Sequence, residues 1–500
     1  MARIAVIGAG MGAMAAAARL AVAGHRVAVY ERTETYGGAV RLFERDGFGF
    51  DTGPGLLTLP AVYRDLFIKT GKEPLESVVE LVQVDPSSRH VFTDGTELSL
   101  PNASRAGVVA ALDEALGEGA GARWGDFLIR AREAWDRTRR PLLEEPLWPN
   151  WPVLMNEPYP AVPHKRLLRT RRACTLAEIG AWELRDPRLA ALLDGHALAY
   201  GVDPGTAPAS AAILPYMEHA FGTWYVRGGV RELARAVYER CVQRRVEFHF
   251  GAEVTGVLEK DGRAAGVEFA DGTVAEADTV VGTGPWRLRG LMPGRELYGA
   301  KDVPPDAEEL HPGRVVVCLA LRGARQPDAA HRTVVYGTAP GDELALFWHG
   351  KTPDPTVRID RPDDPALRPD ADHESVVLTA TVPCGLGHDW ATAGVADAFA
   401  DKMVAAAERA MPGLRERMLW REVRTPVHTE RETGAEGGAV PPPSLAGGEG
   451  TLHPSNSTAI PGLFTAGGWS HPGGGLAHAG MSGALVAGLV VEGPEFRGSQ

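Results

Sequence analysis

The sequence predicts an α/β fold with a parallel sheet near its N-terminus, and two observations lead to this prediction. The stretch VIGAGMGAMAAAARLAVAGHRVAVYER, Val6 to Arg32, has the periodicity of strand, tight turn, helix and second strand. Further along, apolar strands such as RVVVCLAL, ELALFWHG and ESVVLTATV are followed by a helical pattern through DKMVAAAERAM. Strands and helices therefore share one chain, and the first unit is of the Rossmann type.

The first turn predicts a dinucleotide site. Gly8 permits the tight turn, and Gly10 lets the backbone approach a pyrophosphate closely. Gly12 follows in the same turn, and Ala13 is the small residue where the helix packs on the strand. Free N–H groups at the helix start would meet the charge of a pyrophosphate. Glu31, at the end of the second strand, is placed to accept hydrogen bonds from a ribose diol. The plainer interpretation is a glycine-rich turn without a ligand.

Composition limits the partners. The 500 residues, 44% of them hydrophobic, suffice for two or three domains, and no segment has the composition of a convincing membrane span. The net charge of −12 argues against nucleic acid as a partner. The scattered cysteines predict reduced thiols in a cytoplasmic protein, with neither a metal site nor a CxxC redox pair; they are Cys174, Cys241, Cys318 and Cys384.

The stretch after Glu31, RTETYGGAVRLFERDGFGFDTGP, resembles the extended FAD signature of the phytoene desaturase family, which includes members like retinol saturase and carotenoid isomerase. In that family a double glycine follows the ribose acid, and a DxGP turn comes close to the isoalloxazine. The family's GGR is GGA here, with an arginine two positions later. The resemblance implies FAD as the cofactor and these contacts: Arg32, Gly37, Gly38, Arg41, Gly53 and Pro54.

The resemblance continues along the chain. GTWYVRGGVRELARAV, Gly222 to Val237, is similar to the family's aromatic–x–RGG segment, and a GAE-type turn follows. The C-terminal GLFTAGGWSHPGGGLAHAGMSGALVAGLV is similar to the family's last strand, HPG turn and final helix. The further FAD contacts that this implies are Val254, Gly467, Gly468, Gly474 and Gly475.

Because these motifs must surround one cofactor, the FAD domain is expected to be discontinuous. We assign it residues 1–100, 224–300 and 425–500. The segment 101–223 is predicted to be a helix-rich insertion on the substrate and membrane side, and 301–424 a mixed α+β substrate domain with a sheet and a helix.

The leading functional interpretation is an FAD-dependent desaturase of a carotenoid or related isoprenoid. In VVGTGPWRLRG the GTG is followed by Pro285 and not by a helix of small residues, so this stretch is not a second dinucleotide motif. Without a dedicated NAD(P)H site, the organic substrate itself should reduce the flavin, and oxygen or a quinone should reoxidise it. Two alternatives stay open. One is a flavin oxidase or saturase acting on another apolar or specialised metabolite, and the other is a non-catalytic relative of the GDP dissociation inhibitors. The oligomeric state is unknown from the sequence.

Three residues are candidates for proton transfer. His471 matches the family's HPG histidine, whereas His478 stands where the family has glycine, so it is either a packed histidine or a proton acceptor specific to this substrate. Glu218 precedes the RGG segment and either faces the substrate or is a solvated helix charge.

Two expectations concern an apolar substrate. Its tunnel would be lined by the strands of the second insertion together with Phe221, Trp224 and Tyr225. Peripheral membrane contact would come from the proline-rich loop Leu142 to His164, which is expected to lack a regular helix and carries Trp148, Trp151 and Tyr159.

Overall fold

The computed structural model describes residues 1–166, 169–298, 312–384, 389–448 and 451–498, and it confirms the α/β class. Its helices are α1 (Met11–Val22), α2 (Ala61–Gly71), α3 (Arg105–Leu116), α4 (Ala120–Arg139), α5 (Leu147–Leu154), α6 (Leu176–Ile179), α7 (Pro187–Ala199), α8 (Ile213–Phe221), α9 (Arg231–Gln243), α10 (Pro285–Leu291), α11 (Glu343–Trp348), α12 (Val395–Ala407), α13 (Leu414–Arg417), α14 (Pro426–Thr433) and α15 (Leu476–Glu492).

The strands are β1 (Arg3–Ile7), β2 (Arg26–Glu31), β3 (Leu42–Arg45), β4 (Phe48–Asp51), β5 (Leu81–Gln83), β6 (Ser88–Val91), β7 (Glu97–Leu100), β8 (His164–Arg166), β9 (Arg169–Arg171), β10 (Trp224–Val226), β11 (Glu247–Phe250), β12 (Val254–Lys260), β13 (Arg263–Phe269), β14 (Val274–Glu276), β15 (Thr279–Gly282), β16 (Pro312–Arg322), β17 (Arg332–Val335), β18 (Val357–Asp360), β19 (His373–Pro383), β20 (Met418–Arg424) and β21 (Leu463–Thr465).

A parallel five-stranded sheet in the order β11-β2-β1-β15-β21 forms the first layer. Its strands come from the N-terminal, middle and C-terminal parts of the chain. Parallel strands buried on both faces need apolar side chains on both sides. Helices α1, α9 and α15 cover one face, and the antiparallel sheet β12-β13-β14 covers the other.

A seven-stranded mixed sheet in the order β20-β16-β19-β18-β17-β6-β7 forms the second layer. Here the domain prediction needs correction, because β6 and β7 lie in the segment that we assigned to the FAD domain. Strand β6 pairs in parallel with β17, more than 200 residues away, and nothing within a four-residue strand indicates such a partner. The boundary predicted at residue 300 lies outside the described residues.

One face of this second sheet is aliphatic and packs on α11 and α12. The segment ELALFWHG, predicted as a strand, is helix α11 instead. Leu344 and Phe347, three residues apart, are both buried, as on one face of a helix. Short apolar runs do not distinguish strand from helix, and Glu, Leu and Ala favour the helix.

Helices α3 to α8 pack around a third core, as expected for the helix-rich insertion. The proline-rich loop contains the short helix α5, kinked at Trp148, so the prediction of a segment without helix is wrong. Trp148 is 66% exposed, but Tyr159 is buried and donates a hydrogen bond to Glu183. The membrane contact of this loop therefore stays a prediction that involves Trp148 and not Tyr159. In liposome flotation, we expect the Trp148→Ser variant to float less than the wild type, and equal flotation would contradict the contact.

The C-terminal helix is the one described segment long and apolar enough to cross a membrane, over Leu476–Glu495. Half of its apolar window is buried inside the protein, where it packs along α1. Burial of this kind is what the core helix of a folded domain shows, and it accounts for the apolar composition.

Candidate functional site

One cavity of about 440 Å³ joins the parallel sheet to the seven-stranded sheet, a volume within the range of small-molecule sites. Its wall contains most of the residues that the sequence predicted as FAD contacts. These are Gly8, Gly10, Gly12, Ala13, Glu31, Arg32, Gly37, Gly38, Gly53, Pro54, Val254, Gly467, Gly468 and Gly475.

The cavity begins at the turn between β1 and α1. Gly8 has a φ of +87°, a left-handed conformation that a side chain disfavours. A Cβ on Gly10 would contact no heavy atom within 4 Å, so the space beside it is open to the cavity. Helix α1 begins after Gly10 without a side-chain cap and without an acidic residue in its first turn. Its first N–H groups are available to an anion, which fits the pyrophosphate of FAD.

Glu31 is buried at the end of β2, and its carboxylate already holds the turn together. One oxygen accepts from the Ala9 amide at 2.8 Å, and the other accepts from the Thr33 amide at 2.8 Å. A carboxylate has about four acceptor positions, so both oxygens keep lone pairs for a ribose diol. This structural role of Glu31 was not predicted from the sequence. Because the carboxylate holds the Ala9 and Thr33 amides, removing it would also disturb the glycine turn.

A second uncapped helix N-terminus faces the same cavity. Helix α15 begins after Gly475, whose φ is +103°, and its first residues Leu476, Ala477 and His478 lie on the cavity wall. N–H groups at a helix start stabilise nearby negative charge. This is the charge that develops on a flavin ring during reduction, so the second terminus also fits the predicted cofactor.

Three predicted site residues, Arg41, Gly474 and His471, are not on the cavity wall. Arg41 donates to the Gly38 carbonyl at 2.8 Å and to Thr33, so it fixes the loop rather than a phosphate. Gly474 lies where a Cβ would come within 1.7 Å of the Pro441 carbonyl oxygen, so its role is close packing. Its tight backbone contact could not be read from the glycine run alone.

His471 is fully buried behind the turn, and the catalytic role predicted for it is wrong in geometry. Its Nε2 donates to the Glu145 carbonyl at 3.0 Å, tying the C-terminal turn to the helix-rich insertion. Burial lowers the pKa of His471 to about 4, so the imidazole is neutral at physiological pH. The histidine that matches the family's HPG motif therefore has a structural role in this protein.

His478, in the first turn of α15, is the predicted histidine that does face the cavity. Its side chain is 8% exposed, and burial lowers its pKa to about 4, with a further lowering by His453. A neutral imidazole has one nitrogen free to accept a hydrogen bond or a proton.

Glu218 on α8 also faces the cavity, so the interpretation as a solvated helix charge is wrong. Its two oxygens accept from the Arg332 guanidinium at 3.2 and 2.7 Å. Burial alone would raise the pKa of Glu218, but Arg332 and then His196 bring it down to about 2. The carboxylate is therefore ionised and paired throughout the physiological range, which makes it unsuited to proton transfer.

The prediction for the tunnel wall also needs correction. Phe221 packs against Trp135, and the Tyr225 hydroxyl donates to Asp364, while Trp224 lies beside Arg64; none of the three lines the cavity. The cavity wall also includes residues that sequence reasoning missed. Three are arginines of the seven-stranded sheet, Arg314, Arg332 and Arg358, and three others are Trp286, Trp469 and Thr283, which lies beside Gly8. An arginine at the start of the apolar run RVVVCLAL was the one available signal.

Known proteins resemble this chain over most of its length. The family model described as flavin containing amine oxidoreductase matches residues 14–491. The chain is 29% identical to a 4,4'-diapolycopene oxygenase from Methylomonas sp, over 98% of both chains, and 31% identical to a phytoene dehydrogenase from Streptomyces griseus, over 82% of this chain and 79% of the other. An oxidoreductase structure from Methanosarcina mazei superposes with a TM-score of 0.65 at 16% identity, covering 97% and 99% of the two chains.

The open space at Gly10 gives a direct test of the FAD site. In Gly10→Val the side chain would project into the cavity and displace the pyrophosphate, at a loss of at least one charge-assisted hydrogen bond. Such a bond is worth roughly 1.5–3 kcal/mol, so FAD affinity should fall about 10- to 100-fold. The measurement is FAD titration of the apoprotein by flavin fluorescence. Gly290→Val, at another open glycine away from the cavity, is the control and should keep wild-type affinity.

Proposed function

On the premise that the chain belongs to the family of flavin-containing amine oxidoreductases, we propose that it desaturates a carotenoid or related isoprenoid polyene with bound FAD. That it is an FAD-dependent oxidoreductase follows from the family. The substrate class is supported by relatives that align over 82% to 98% of this chain and are named as an oxygenase, a dehydrogenase and desaturases of carotenoids.

The observation that carries the proposal is the continuity of the cavity. The same space is bounded by the phosphate turn at Gly8 to Ala13, by the N-terminus of α15 and by the face of the seven-stranded sheet at Val316. Leu56, Leu59 and Met217 add apolar wall between them. These side chains provide an apolar wall against which a polyene chain can lie beside the cofactor.

Bound FAD supplies the acceptor for the hydride that leaves a CH–CH unit. The protein's own contribution is to position the chain, exclude water and accept a proton from the neighbouring carbon. Among the three predicted candidates, His478 alone is on the cavity wall and free of a paired charge, so we assign it the proton. We expect oxygen or a quinone to reoxidise the enzyme after each turnover.

Coexpression tests the substrate class. Bacteria that accumulate phytoene, neurosporene or hydroxyneurosporene would each receive this chain, and the expected result is a product with more conjugated double bonds in at least one strain. Chromatography with absorbance spectra detects it. The Gly10→Val variant, with its lower FAD affinity, is the matched control and should yield less of that product. Unchanged pigments in all strains, despite a folded and flavin-loaded protein, would contradict the proposed substrate class.

His478→Gln tests the assignment of the proton acceptor. Glutamine keeps polar character and approximate size but cannot accept the proton, so anaerobic flavin reduction by the substrate should slow about 100-fold while FAD affinity is unchanged. In the wild type, a pKa near 4 keeps His478 neutral above about pH 5. The reduction rate should therefore stay level from pH 8 to about pH 5.5 and fall only below that. A normal rate in His478→Gln would show that the histidine is a packing residue.

A further inference from the structure

Three guanidinium groups lie on the cavity face of the seven-stranded sheet, on three of its strands. They belong to Arg314 on β16, Arg332 on β17 and Arg358 on β18, and all three line the cavity. Alternation along each strand explains the placement, since Val315 and Val357 point to the aliphatic core under α12. The sheet therefore presents positive charge to a space otherwise suited to an apolar chain.

Two of these arginines are compensated within the protein. Arg332 is held by both oxygens of Glu218, and Arg358 donates to Asp360 at 2.8 Å. Each forms an ion pair with little exposure, so its charge is neutralised where it lies. Neither arginine needs a further anion.

Arg314 differs, because it has no carboxylate within 4.0 Å among the residues that the structure describes. Its Nη2 donates to the Ala199 carbonyl at 2.6 Å, and the rest of the guanidinium borders the cavity. Burial, and then the neighbouring Arg358, lower its pKa to about 9 against the opposing effect of Asp360, so Arg314 still carries its charge at neutral pH. A cation in such a place is costly unless an anion accompanies it.

The space next to Arg314 has room for a small anionic group. A recess of about 50 Å³ adjoins the main cavity and shares Arg314, Arg332, Arg358 and Glu218 with it. Glu343 also lines this recess, where burial raises the pKa of its carboxyl to about 8. A guanidinium binds a carboxylate through two parallel hydrogen bonds, with a geometry that an ammonium cannot copy. Because only one of the three guanidinium groups has no carboxylate paired with it directly, the site matches a single carboxylate better than a diphosphate, which would bring several negative charges.

We propose that Arg314 binds a carboxylate at one end of the substrate, so that the enzyme acts on a polyene or isoprenoid acid. The proposal rests on the proposed function in taking this cavity as the substrate site. It also places the enzyme after a reaction that oxidises a terminal carbon of the chain to a carboxylic acid, since the hydrocarbon itself offers no anion.

Matched acids and alcohols test the proposal by binding, without turnover. FAD-loaded protein would be titrated with retinoate and retinol, and with an apocarotenoic acid and its alcohol, following the flavin and polyene absorbance. The wild type should bind at least one acid 10-fold or more tightly than its alcohol. In Arg314→Gln that preference should disappear through weaker binding of the acid, while the affinity for the alcohol and for FAD is unchanged.

Two controls make the result specific. Arg322→Gln removes the same charge from the exposed far end of strand β16 and should keep the wild-type preference. Geranylgeranyl diphosphate should compete with the acid poorly, and strong competition would assign the site to a diphosphate instead. Arg314→Lys keeps the charge without the paired donors and should retain only part of the preference, with FAD occupancy reporting its folding.

Equal affinity of the wild type for acid and alcohol at both chain lengths, or no binding of either acid, would overturn the proposal. The same holds if Arg314→Gln keeps the preference. The coexpression result is independent of this one. A desaturated hydrocarbon together with equal binding would leave the proposed function standing and remove the carboxylate site. Selective acid binding without any hydrocarbon product would support the carboxylate site and contradict the carotenoids of the coexpression strains as substrates.

Discussion

The site depends on one close contact between helices α1 and α15, which only glycines permit. A Cβ on Gly12 would lie 2.8 Å from the Ala479 carbonyl oxygen and from the Gly467 Cα, and a Cβ on Gly483 would lie 2.4 Å from the Gly12 carbonyl oxygen. Both distances are below what packed atoms tolerate. Because the glycines have no side chains here, the two helices pack closely and both of their uncapped N-termini face the same cavity. One N-terminus fits the pyrophosphate, and the other fits the negative charge of a reduced flavin.

The cofactor side could be predicted from the sequence because its determinants are local. Gly8, Gly10 and Glu31 belong to one strand–turn–helix–strand unit, and a positive φ or an open space at a glycine is decided within a few residues. Even on the cofactor side, the local pattern predicted a site role for two residues that do not line the cavity. Arg41 turned inward to the loop, and the HPG histidine, His471, is buried against the helix-rich insertion.

The substrate side could not be predicted in the same way, because it is assembled from distant strands. Arg314 and Arg332 lie on strands that are not adjacent in the sheet, with β19 and β18 between them, and Glu218 comes from a helix 114 residues before Arg332. Short strands carry little information about their partners, so the chain around Ser88 was given to the wrong layer. The charge of the cavity is consequently a property of the fold, and it is the observation from which we infer a carboxylate site at Arg314.

The central claim is that the substrate itself delivers electrons to FAD in this cavity. Anaerobic stopped-flow mixing of the oxidised enzyme with the polyene identified by coexpression tests it most directly, with flavin absorbance as the readout and no pyridine nucleotide present. We predict bleaching of the flavin in a single turnover at a rate at least equal to steady-state turnover. A flavin that stays oxidised with substrate and bleaches only when NADH or NADPH is added would contradict the account.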